Sequence, residues 1–145
     1  MHVHLKGTVI AVIVVFLISL AVVASQGDDS AADAVSAAFV EARQAARLSK
    51  LGRIDRNAFR EQVCKHDLRM PSGLINDVQY ETSDPRRLPE AALRLAALPD
   101  SYKVAARLGV GVCSLGTDSS GQTHYSVLIA TYESRWTSFW RIFWE

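Results

Sequence analysis

Residues 104–132 read VAARLGVGVCSLGTDSSGQTHYSVLIATY. Two runs rich in branched and aromatic residues, Val104 to Leu115 and Thr123 to Tyr132, flank the turn composition GTDSSG, a pattern that predicts an antiparallel β-hairpin. Side chains alternate along a strand, so Val110, Val112 and Ser114 share one face of the first run and Gly109, Gly111 and Cys113 the other. The glycine face has almost no bulk of its own. Another element is therefore expected to pack close against it.

Working back from the hairpin, three segments have helical spacing. Ser30 or Asp33 is a candidate cap for a helix to about Ser49, with Val35, Phe39, Ala42 and Ala46 forming an apolar stripe. After a short turn around Gly52, Asp55 is the candidate cap of a second helix. It directs Ala58, Phe59, Val63 and Cys64 inward and Arg56, Arg60 and Lys65 outward, and ends at Met70-Pro71-Ser72-Gly73. Leu74 to Ser83 fits either a loop or a short strand. Asp84-Pro85 then has the chemistry of a helix start, and Leu88, Ala91, Ala92, Leu95 and Leu98 continue the stripe to Pro99. The expected fold is α+β, with three to four helices packed on a small antiparallel sheet that ends in the β-hairpin.

The chain of 145 residues allows one small domain. Its N-terminus is of a different nature: residues 8 to 25, TVIAVIVVFLISLAVVAS, are uncharged and apolar behind Lys6, long enough to cross a bilayer as a helix. Residues 1–25 are read as a signal peptide, cleaved before Ser25 with Val22 and Ala24 at the recognition positions, or as a retained membrane anchor. Either fate places the remainder outside the cytoplasm, with Lys6 and the free amine inside. Gln26 to Ala31 is polar and small, as a short linker or a helix lead-in would be, and residues 32–145 are expected to form the single extracytoplasmic domain. A type IV pilin-like reading of Lys6-Gly7 lacks its most specific residue, because Val12 stands where that family has a glutamate.

The whole chain carries 16 basic and 15 acidic side chains, and Lys6 is the only one of them removed with the leader, so no net charge steers the domain to nucleic acid. The two cysteines, Cys64 and Cys113, both fall in the exported part and make a disulfide the natural reading in an oxidising compartment. Two buried thiols that never meet is the other reading, expected if their Cα atoms lie more than about 7 Å apart.

The helix and turn FVEARQAARLSKLGRID and the late GVGVC with its glycine hairpin resemble the two ends of the CAP superfamily, the cysteine-rich secretory, antigen and pathogenesis-related proteins. In that family an arginine on the first helix precedes a leucine by eight positions, as Arg43 and Leu51 do here. The late strand is similar to Val110-Gly111-Val112. About half of the chain is covered. Members with a central cavity carry a histidine and an asparagine just before the arginine, where this chain has Phe39 and Val40, and the second histidine motif is missing. The resemblance implies a reduced relative without the cavity, its metal or its activity, acting as a non-enzymatic binding or interaction module.

Few residues offer catalytic chemistry. His66-Asp67 is the single adjacent pair of histidine and carboxylate, and a hydrolase would also need His124 with Ser114, Ser119 or Ser120. Near a helix end His66 is expected to be a solvated terminus residue, and His124 to lie on the outer face of a strand. No spacing of histidines suggests a metal, and no cofactor motif is present. At the C-terminus Trp136, Phe139, Trp140, Phe143 and Trp144 gather on one helical face, which either closes the core or lies against a membrane or partner.

Overall fold

A computed structural model describes residues 27–54, 56–65, 73–98 and 105–134. The apolar segment 8–25, His66 and the five C-terminal aromatics lie outside them. In chain order the elements are helix α1 (27–45), strand β1 (Gly52–Arg53), helix α2 (Arg56–Lys65), strand β2 (Leu74–Thr82), helix α3 (Glu90–Ala97) and strands β3 (Arg107–Thr117) and β4 (Thr123–Tyr132). Among the described residues no helix is long and apolar enough to cross a membrane.

The expected hairpin is present, β3 and β4 pairing antiparallel from Arg107↔Tyr132 to Thr117↔Thr123. It occupies the centre of a four-stranded sheet of order β1-β3-β4-β2. The sheet is mixed rather than purely antiparallel, because β1 runs parallel to β3. Two residues are too short to give a strand signal in sequence. What makes them a strand is the partner: the Gly52 amide donates to the Ala106 carbonyl at 2.8 Å and the Ile54 amide to that of Leu108 at 2.9 Å.

The segment left open between loop and strand is β2, paired antiparallel with β4. Ile75 and Val78 are three apart, out of phase for a regular strand. The register shifts between Leu74 and Asn76, and that extra residue returns Ile75 to the face of Val78 and Tyr80, all three of which pack on the main core.

Helices cover both faces of the sheet. On one side, Val35 and Phe39 of α1 and Ala92 and Leu95 of α3 meet Val110, Val112, Val127 and Ile129. On the other, Phe59 and Val63 of α2 meet Leu128, Ala130 and Tyr132. The Phe59 and Tyr132 rings pack edge to face, centroids 5.7 Å apart. The close neighbour expected at the glycine face is therefore α2. A Cβ on Gly109 would sit 2.2 Å from Cζ of Phe59, and one on Gly111 would sit 2.6 Å from the Phe59 carbonyl oxygen.

Three helix boundaries differ from expectation. The first helix ends at residue 45 and not near Ser49, because the chain reverses there, so Ala46 of the expected stripe is exposed in the turn. Residues 27–31, open between linker and helix lead-in, are already helical, with Ala31 and Ala32 buried. The third helix begins at Glu90, not at Asp84-Pro85. Pro89 is the reason: within a helix it would lack the amide for its i−4 carbonyl and its ring would strike that carbonyl. Asp84 instead closes a turn by accepting the Arg86 amide at 3.1 Å. The apolar stripe moves with the helix, so Leu88, Ala92, Leu95 and Ala96 are buried while Ala91 and Leu98 are exposed.

The C-terminus of α1 is closed by a reverse turn in which Arg47 adopts φ 59°. The Leu48 amide reaches the Arg43 carbonyl at 3.0 Å and the Arg47 amide that of Gln44 at 2.9 Å, satisfying two terminal acceptors. Arg43 is buried, and its Nε donates to the Ser49 carbonyl at 3.2 Å. Leu51, eight residues on, is buried in the main core.

Candidate functional site

Among the described residues, three places bring chemistry-bearing side chains together. The first is the disulfide. Cys64 near the end of α2 and Cys113 on β3 are bonded, their Cα atoms 5.3 Å apart across a sequence separation of 49. This decides between the two readings of the pair. Beside it lies Asp28 of α1, buried, with Oδ1 accepting the Ser114 amide at 3.0 Å. Burial raises the proton affinity of this carboxyl; the Ser114 amide and the Arg60 charge oppose that shift, and Asp29 adds to it. Asp28 went unnoticed in the sequence because it stood in an apparent linker. Extending the stripe Val35, Phe39 back by one turn reaches Ala31 and Ala32, and by another reaches Asp28 on the buried side.

The second place is the hairpin loop. Asp118 accepts the Ser120 hydroxyl and the Ser120 and Gln122 amides on Oδ1, while its Oδ2 lies 2.9 Å from Nε2 of His124. These bonds, led by the Ser120 hydroxyl and then His124, hold the carboxyl well below the usual range. His124 and Ser120 thus share one carboxylate, and the serine hydroxyl points to Asp118 instead of the imidazole. A proton relay needs the serine bonded to the histidine. The arrangement closes a loop, with Asp118 as its hub. Ser114 pairs with Tyr125, the neighbour of His124, but its amide is committed to Asp28.

The third place is a groove of about 470 Å³ between α1 and the turn that leads from β2 into α3. Ala38, Ala42 and Ala45 form its α1 wall, and Leu88 and Leu93 the opposite one. Arg86, Arg87 and Glu41 complete the lining. Small alanines leave the concavity open, Leu93 is an exposed large apolar side chain, and Arg86 and Arg87 against Glu41 leave the lining net positive. Phe39 of the same helix is fully buried in the main core, against which Ala38 and Ala42 also pack.

Two tyrosines make the fold sensitive to alkali. Burial pushes Tyr80 and Tyr132 up to about 12, with the Asp77 charge adding at Tyr132 and Arg107 opposing it. Arg107 stands over the Tyr132 ring, 5.7 Å from its centroid. The folded state retains these protons after the unfolded chain, near 10, has lost them. Their contribution is therefore intact below about pH 10 and is lost as pH rises through about 12. Urea midpoints measured from about pH 9 to about pH 12 should fall across that window, and less steeply in Tyr80→Phe. A flat profile in the parent protein would contradict the assignment.

No protein-family model, curated protein or solved structure matches this chain.

Proposed function

We propose that this is an exported, non-enzymatic binding module of reduced CAP type, and that it takes an acidic, partly apolar peptide segment in the groove between α1 and the β2–α3 turn. The observation that carries the reading is the lining of that groove: an alanine wall from α1, two leucines opposite, and Arg86 and Arg87 outnumbering Glu41. Apolar walls with a few placed charges are the usual composition of a ligand site. The paired cysteines support life in an oxidising compartment. Arg43 and Leu51 support the CAP likeness, since both are buried and link the end of α1 to the turn before β1. Where the family's cavity residues stand, Phe39 fills the core instead, which leaves the neighbouring groove as the concavity on this helix.

The test is a titration of the isotopically labelled protein with a short peptide of aspartate, glutamate and leucine, followed by amide chemical shifts. Shifts confined to the surroundings of Ala42 and Leu88, with affinity reduced at least about tenfold in Arg86→Glu/Arg87→Glu, are expected. Shifts spread over the surface, or unchanged by charge reversal, would remove the groove as the site. A membrane-tethered structural subunit is the second reading, favoured by the apolar run 8–25. Intact mass from an exporting host separates the two, since a released module begins at Ser25 and a tethered one retains the run.

A further inference from the structure

Asp28 is a buried carboxylate that the groove does not use. A carboxylate out of water costs several kcal/mol unless its oxygens are occupied; the Ser114 amide bonds Oδ1 and the Arg60 charge favours the ionised form, while the bonded sulfurs beside it carry no hydrogen to offer. A carboxylate oxygen of Asp28 and the sulfurs of Cys64 and Cys113 all lie within 4.8 Å of one another. They come from three elements, α1, α2 and β3, so the fold and not a local loop gathers them. The Ser114 amide, next to Cys113, holds Asp28 in place, as outer-shell donors orient metal-ligating carboxylates.

We propose that Asp28, Cys64 and Cys113 form a redox-gated site for a thiophilic divalent cation, Zn²⁺ being the best fit. With Zn–S about 2.3 Å and Zn–O about 2.1 Å, tetrahedral ligation asks for about 3.8 Å between the sulfurs and about 3.6 Å from each sulfur to the oxygen. Breaking the S–S bond lets the sulfurs part to that spacing, and the oxygen, already within 4.8 Å of both, closes by no more than about 1 Å. Water takes the fourth position. A dithiol reductant supplies the two electrons: it becomes its own disulfide, and Cys64 and Cys113 become thiols. On binding the cation, both thiols release their protons to solvent, as does Asp28 if protonated, and two Zn–S bonds and one Zn–O bond form. Disulfide and metal exclude each other. The proposal is independent of the peptide groove.

The experiment uses the full chain, reduced with a dithiol, freed of it by anaerobic gel filtration, and titrated with Co²⁺ as a spectroscopic probe. One Co²⁺ per chain is expected, with thiolate charge-transfer absorption, visible bands of a four-coordinate ion, displacement by Zn²⁺ and release on reoxidation. Asp28→Ala should weaken binding at least about tenfold, with Asp28→Asn as the isosteric control, and Cys64→Ser/Cys113→Ser should abolish the charge-transfer band. Circular dichroism follows the fold throughout. Equal affinity in Asp28→Ala, equal uptake by the oxidised chain, or a reduced chain that unfolds and is not restored by Zn²⁺ would each overturn the proposal.

Discussion

Replacing Cys64 and Cys113 together by alanine, or reducing the bond in the presence of a chelator, is expected to lower the free energy of unfolding by about 4 kcal/mol. The bond closes a sequence separation of 49, and the restriction of the unfolded chain by a loop of that size is worth about that much on the entropic account. A domain of this size has a total stability of only about 5 to 15 kcal/mol, so the loss moves it toward marginal folding. Urea denaturation of the oxidised, reduced and double-variant proteins measures it. The bond also fixes α2 against β3 from the end opposite Phe59. A change below about 1 kcal/mol would mean that packing of α2 alone holds the layer. Adding Zn²⁺ in place of the chelator should return part of the loss to the reduced protein and none to the double variant.

Gly111→Ala should destabilise by about 3 kcal/mol, and Gly109→Ala by a similar amount, since both overpack a filled layer. The two differ in what the new methyl meets. At Gly109 the obstacle is the Phe59 ring; at Gly111 it is the Phe59 backbone together with Cγ2 of Val63. Phe59 is itself fully buried, so Phe59→Leu alone costs stability through a cavity. Combined with Gly109→Ala, however, it makes room for the methyl, and a coupling energy above about 1 kcal/mol is expected. Combined with Gly111→Ala it makes none, and the effects should add within about 0.5 kcal/mol. Simple additivity at Gly109 would show that the ring does not stand over that glycine.

Elements with a repeating signal were legible in the sequence. The hairpin was, because two branched runs and a glycine turn alternate with a period of two, and so was the close approach to Gly109 and Gly111. Both core helices of the N-terminal half declared their buried residues through Val35, Phe39, Phe59 and Val63. The legible part of the candidate site was the cysteine pair. The groove had no linear signature, for its walls come from α1 and from a turn more than forty residues later, and neither Ala42 nor Arg86 is unusual where it stands. The start of α3 was not legible, because the cap pattern of Asp84-Pro85 is local, whereas the Pro89 that forbids a helix there acts on the carbonyl four residues back.

The sequence by itself determined the α+β class, the hairpin, the glycine face and the presence of two cysteines able to pair. Each rests on local alternation or on composition, which act through neighbouring residues and need no fold to be read. Tertiary structure alone decided that Gly52–Arg53 is a strand, that Leu74–Thr82 pairs with β4 through a bulge, and that Asp28 stands beside the disulfide. Those outcomes depend on hydrogen-bond partners and neighbours supplied by segments distant in the chain. For Asp28 the partner is the Ser114 amide, 86 positions away.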